Sequence, residues 1–204
     1  MERPPSVGNF EKDPKIRKIL EIGAGNNPLT ESLKKFGVDT GEVVITDISP
    51  DSFLRGVDKH YDPFVPRHGQ RDSEFMYVAA AAYNLPFKDT AFTDIIANNL
   101  FGDPSFNVGK DSGLYKKAYY VKPSDPSIDL FFKELSRVLV SGGKVTILDT
   151  YTPETAERFL SKHKGVWEKY FVFENGSEII PKEFTEKLFG FHKRDSLLVT
   201  LRKK

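Results

Sequence analysis

The sequence predicts an α/β fold: a doubly wound, mostly parallel sheet with helices on both faces. Short apolar runs recur at Ile19–Ile22, Glu42–Thr46, Phe75–Ala80, Thr93–Asn98 and Lys144–Leu148, and none alternates strictly between polar and apolar as a half-exposed sheet would. Segments with helical apolar spacing fall between the runs, the alternation from which parallel sheets are built. A glycine-rich turn, Gly23-Ala24-Gly25, follows the first run, and in such sheets ligands bind at the carboxyl ends of the strands, near the switch in strand order.

Ile19–Ile22 is a short buried strand, and Pro28–Phe36 a helix with Leu29, Leu33 and Phe36 on one face, closed by Gly37. Glu42–Thr46 is a β-branched strand ending at Asp47. Ser49-Pro50 then has the form of an N-cap followed by proline at the first helical position. Phe75–Ala80 and Thr93–Asn98 are the third and fourth strands. Asp125-Pro126 starts a long helix whose stripe is Ile128, Phe131, Leu135, Val138 and Leu139, ended by Gly142-Gly143 before the fifth strand, Lys144–Leu148. Thr152-Pro153 starts another helix, to about His163. Trp167–Phe173 and Leu197–Leu201 read as two further strands flanking a proline-started helical segment, Pro181–Leu188, and are expected to finish the sheet as an antiparallel C-terminal edge pair.

At 204 residues the chain is expected to form a single domain, 1–204, elaborated by two long segments, 54–74 and 99–127. Thirty basic residues against 29 acidic leave a net charge of +1, so no global electrostatic footprint for nucleic acid or an anionic membrane is present. Without cysteine there are no disulfides, thiolate metal ligands or cysteine nucleophile. No signal-peptide h-region and no run of about 18 apolar residues occurs, which makes a cytoplasmic protein the expectation. Oligomeric state stays open.

Glycine lacks Cβ and adopts positive φ, so a turn built on Gly23 and Gly25 brings bare backbone close to a ligand. Glu21, at the end of the first strand, is placed to accept hydrogen bonds. The dinucleotide fingerprint G-x-G-x-x-G fails, because its third glycine position is Pro28. Asp47 lies 22 residues beyond Gly25 and ends the second strand, a place from which a carboxylate binds both hydroxyls of a ribose; capping of the helix near Pro50 is the competing role.

Between strands three and four stands AAAAYNLPFKDTAF (Ala79–Phe92), and here the chain resembles the class I S-adenosylmethionine-dependent methyltransferases. Their segment of the form D-A-x-x-L-P-F-x-D-x-x-F is matched by Ala82, Leu85-Pro86-Phe87, Asp89 and Phe92. The resemblance extends to LFFKELSRVLVSGGKVTIL (Leu130–Leu148) and back to EIGAGN (Glu21–Asn26), covering roughly residues 16 to 150 in order. It implies a Rossmann-like seven-stranded sheet and S-adenosyl-L-methionine as cofactor, with S-adenosyl-L-homocysteine as product. Gly23, Ala24 and Gly25 would lie against the methionine part, Glu21 orienting the turn or the amino group. Asp47, with Ile48 beside it, would hold the ribose, and Ala82 with Tyr83 or Leu85 would border the adenine. Asn98, after the fourth strand, occupies the place where the family often puts substrate-facing groups and is counted with the cofactor contacts; a plain strand-end polar residue is the competing reading. Three positions depart from the family pattern: Asn27 replaces a frequent glycine, Ala81 an acid, and Phe92-Thr93 an F-D pair. Asn tolerates left-handed φ, so the turn survives, while the loss of an acid at Ala81 predicts weaker affinity or altered adenine contacts.

The sulfonium methyl is already activated, so such a protein mainly aligns a nucleophile and excludes water. The segment 99–127 far exceeds the usual connection of about 2 to 6 residues. Its Phe101, Phe106, Tyr115, Tyr119 and Tyr120 with Lys110, Lys116 and Lys117 suit either a wall for a planar or anionic acceptor or local packing with a solvated basic surface. Catalytic candidates are His60, which follows the ribose strand and could serve as base, Asn98 and Tyr115; a surface histidine is the competing reading of His60. The spacing of the four histidines provides no metal site. The reading is a methyltransferase acting on a small molecule at oxygen or nitrogen. An inactive cofactor- or partner-binding module and an RNA or protein methyltransferase are the alternatives.

Overall fold

A computed structural model describes residues 17–24, 28–47, 75–80, 82–98, 127–149, 153–182, 186 and 195–204. The central strand β1 (Lys18–Ile22) pairs in parallel with β2 (Glu42–Asp47) on one side and β4 (Phe92–Asn98) on the other. Beyond them lie β3 (Met76–Ala79), parallel to β2, and β5 (Leu139–Asp149), parallel to β4. The C-terminal pair β6 (Phe171–Ile180) and β7 (Ser196–Lys203) completes a seven-stranded sheet of order β3-β2-β1-β4-β5-β7-β6. Because β7 runs antiparallel to both β5 and β6, the expected edge pair is present, with β6 outermost. The order reverses between β1 and β4, which puts the switch point beside the glycine turn.

Strand side chains alternate between two cores, because successive residues point to opposite faces. Ile19, Val43, Ile45, Ile96 and Leu148 pack with Leu29 of α1 (Leu29–Lys35), whereas Leu20, Ile22, Ile95, Ala97, Val145 and Ile147 face the other way. There they meet Phe131, Phe132 and Leu135 of α2 (Ser127–Val138) and Phe159 and Leu160 of α3 (Pro153–Lys162). Leu20, Ile45 and Ile95 are fully buried, each worth about 1.5–3 kcal/mol of transfer free energy. Helix α1 closes as expected at Gly37: its amide donates to the Lys34 carbonyl at 2.9 Å, and Val38 donates to Leu33 at 3.1 Å.

Two boundaries differ from expectation. Helix α2 ends at Val138, and Gly142-Gly143 lie inside β5 rather than stopping the helix. Leu139 already pairs with Phe92, while Lys144 pairs with Asp94, so the residues between form a bulge. A Cβ on Gly143 would stand 2.8 Å from the Thr93 carbonyl oxygen, so the bulge needs glycine there. At the C-terminal end Trp167 belongs to a helical turn, Lys164–Trp167, and the strand begins only at Phe171. Its indole Nε1 donates to the Leu160 carbonyl at 2.8 Å, and the ring is buried, a tertiary placement that overrides the β-propensity of the aromatic run. The Ser49-Pro50 helix start and most of Pro181–Leu188 lie outside the described residues.

Candidate functional site

The site is assembled where β2, β1 and β4 end. Ile22 is level with Thr46 on one side and Ala97 on the other, so Gly23 stands between Asp47 and Asn98. The alternation that sends Ile19, Ile45 and Ile96 toward α1 also directs Glu21, Asp47 and Asn98 to that face.

Glu21 is buried completely and accepts four hydrogen bonds. The amides of Leu29 (2.6 Å) and Thr30 (2.9 Å) and the Thr30 hydroxyl (2.6 Å) donate to it from the first turn of α1, and Asn98 Nδ2 donates from β4 at 3.0 Å. Pro28 precedes the helix without a side-chain cap, and Glu21 takes that role from the neighbouring strand. Burial pushes its carboxyl above the usual range, opposed by the bonds from Thr30, Leu29 and Asn98. Its place is therefore behind the turn, tying strand, helix and β4 together.

Gly23 adopts φ +73°, and its amide donates to the Thr46 carbonyl at 3.1 Å. The Ala24 amide reaches the same oxygen at 3.4 Å, and the Thr46 hydroxyl donates back to the Glu21 carbonyl at 3.0 Å. The turn is thus pinned to β2, next to half-buried Asp47. Asp47 accepts the Ala80 amide on its carbonyl at 3.0 Å, which brings the chain leading to Ala82 and Tyr83 to the same corner. Ala82 is partly buried, Tyr83 is exposed, and Leu85 is in the core.

Of the expected residues, the structure brings Glu21, Gly23, Ala24, Asp47 and Asn98 together at one sheet edge, with Ala82 and Tyr83 following β3. Leu85 is drawn into the apolar core instead. Gly25, Ile48, His60 and Tyr115, with Asn27, Ala81 and the segments 54–74 and 99–127, lie outside the described residues. Sequence reasoning missed Thr30 and Thr46, which complete the buried network, and Asp149, buried at the carboxyl end of β5. A threonine beside a glycine turn carries no signal of its own; the acid ending a strand, as at Asp47, is the pattern that could have pointed to Asp149.

No family model matches the chain. In sequence it is similar to the ubiquinone/menaquinone biosynthesis C-methyltransferase UbiE of Saccharophagus degradans, 28% identical over 139 residues, covering 68% of this chain and 45% of that protein. The chain thus spans less than half the length of that relative. Among solved structures, the N-methyltransferase NodS of Bradyrhizobium japonicum in complex with S-adenosyl-L-homocysteine superposes with TM-score 0.56 at 13% identity, over 92% of this chain and 78% of that one. The PH0226 protein of Pyrococcus horikoshii gives 0.53 at 16% identity over 93% and 83%. The [4+2]-cyclase SpnF gives 0.52 at 14% identity over 92% and 74%. At such identities the superpositions show a shared fold. Strand order and superpositions thus give the chain a Rossmann-like fold shared with S-adenosylmethionine-dependent methyltransferases, and in sequence it is similar to one such enzyme over 139 residues.

Proposed function

We propose that the protein binds S-adenosyl-L-methionine at the turn Gly23–Gly25 and transfers its methyl group to a small molecule at oxygen or nitrogen. The observation that carries this reading is the placement of Gly23 between Asp47 and Asn98 over the buried Glu21 network. On it Asp47 and Ile48 hold the ribose, Ala82 and Tyr83 border the adenine with core-packed Leu85 anchoring the loop behind them, and Asn98 acts through Glu21 by keeping the turn in place. The cofactor supplies an activated methyl on sulfonium; the protein's part is alignment and exclusion of water. The segments 54–74 and 99–127, which come after β2 and β4 in the sequence, are assigned on this reading to cover and acceptor roles, with His60 and Tyr115 as candidates for proton removal.

A near-neutral charge supports a small acceptor over nucleic acid. Among the described residues no helix is long and apolar enough to cross a membrane. The test is transfer of radiolabelled methyl from S-adenosyl-L-methionine to a panel of phenols, amines and activated ring carbons, carbon being included because UbiE is a C-methyltransferase. Labelled O- or N-methyl product is expected; cofactor binding with no transfer to any acceptor would favour the noncatalytic module, and C-methyl product would move the acceptor atom.

A further inference from the structure

The loop between β3 and β4 is held by a pair of charged residues one helical turn apart on α2. Arg137 donates through Nη1 to the Phe87 carbonyl at 2.8 Å and to Asp89 Oδ1 at 2.7 Å, and through Nη2 to the Leu85 carbonyl at 3.0 Å. Its Nε and Nη2 also grip the Glu134 carboxylate at 2.7 and 2.8 Å, and Glu134 Oε2 accepts the Leu85 amide at 3.1 Å. The Arg137 carbonyl takes the Thr90 amide at 2.9 Å, where Thr90 sits at φ +53°, an uncommon conformation for a β-branched residue.

Two side chains on α2 therefore hold the loop backbone at three points, the Leu85 amide and the Leu85 and Phe87 carbonyls, and the Arg137 carbonyl holds a fourth at Thr90. Leu85's amide proton is committed to Glu134, and its side chain is 3% exposed in the core. Leu85 is thus an anchor, and the stretch just before it, Ala82 to Asn84, follows Ala80, whose amide is bonded to the Asp47 carbonyl. With alanine at position 81, this stretch has to read a purine through groups whose position depends on that anchor.

We propose that Glu134 and Arg137 are positioning residues for the adenine end of the site, fixing the loop so that it distinguishes the purine 6-amino group. This rests on the cofactor reading above. Preorganisation acts here by sparing the ordering of a loop on binding, and the planar guanidinium fork is what reaches two carbonyls and two carboxylates at once.

The experiment compares the affinities of S-adenosyl-L-homocysteine and S-inosyl-L-homocysteine, which carries oxygen in place of the 6-amino group, by calorimetry on the full chain. Wild type should prefer the adenosyl compound. Arg137→Ala should lose about tenfold in affinity for it and much less for the inosyl compound, so that the preference collapses. Arg137→Lys and Glu134→Gln, milder changes that guard against misfolding, should fall between. Lys169→Ala, which breaks the 2.8 Å pair with Asp129 elsewhere on α2, should leave the ratio unchanged. A folded Arg137 or Glu134 variant with the wild-type ratio would show that the pair only stabilises the fold and would overturn the proposal, as would a wild type with no preference. Failure of wild type to bind either compound would instead remove the cofactor reading on which the proposal stands.

Discussion

Glu21 has no access to water, and three N–H groups and a hydroxyl converge on its carboxylate. Glu21→Gln keeps the volume but turns an NH₂ toward donors, which leaves buried groups unpaired. A loss of about 1–3 kcal/mol in urea unfolding is expected, with weakened cofactor binding because the turn loses its anchor. His163 presents the reverse case: its ring lies tilted against Phe159 with centroids 4.6 Å apart, and Nε2 is buried without a partner among the described residues. Burial, with Lys162 nearby adding to it, lowers its pKa from the usual 6.5, so the folded state favours the neutral ring. That contribution is fully present above 6.5 and is lost as pH falls through the lowered folded value. Unfolding measured from pH 7.5 to 5 should show a decline that His163→Phe flattens; an unchanged slope would exclude the histidine. Asp47 and Glu21 could be read from the sequence because an acid ending an apolar strand beside a glycine turn is a pattern. Thr30 and Thr46 could not, because their roles exist only once β1, β2 and α1 are packed.

At the scale of elements, β1 to β4 begin and end within a residue of where apolar runs and turn residues place them. The β5 boundary shows where local signals mislead. Two glycines after an amphipathic helix look like a stop, yet here they let a bulged strand pass close to β4. Gly143→Ala would bring Cβ to 2.8 Å from both the Thr93 oxygen and Leu139 Cγ, forcing the bulge to shift. We expect a loss of about 1–3 kcal/mol, read as a lower urea midpoint at unchanged slope. Full stability of this variant would show that the bulge is not needed. Trp167 is a second case: the aromatic run has strand propensity, whereas the buried indole and its bond to Leu160 hold it in a helical turn.

For the whole molecule, the order of strands and helices was readable, because a parallel sheet with right-handed crossovers leaves few topologies open. The same order places the ends of β1, β2 and β4 side by side, which brings separate motifs to one sheet edge. The acceptor side was not readable, since it depends on how residues 54–74 and 99–127 are arranged, and periodicity does not encode that. The shared superposition with an N-methyltransferase and a [4+2]-cyclase makes the same point: fold alone does not select a reaction. The most direct measurement is a calorimetric titration of the full chain with S-adenosyl-L-homocysteine, beside Asp47→Ala. Saturable binding at one site per chain, weakened about tenfold or more in the variant, is the predicted result; heats that show no saturable binding to wild type would contradict the account.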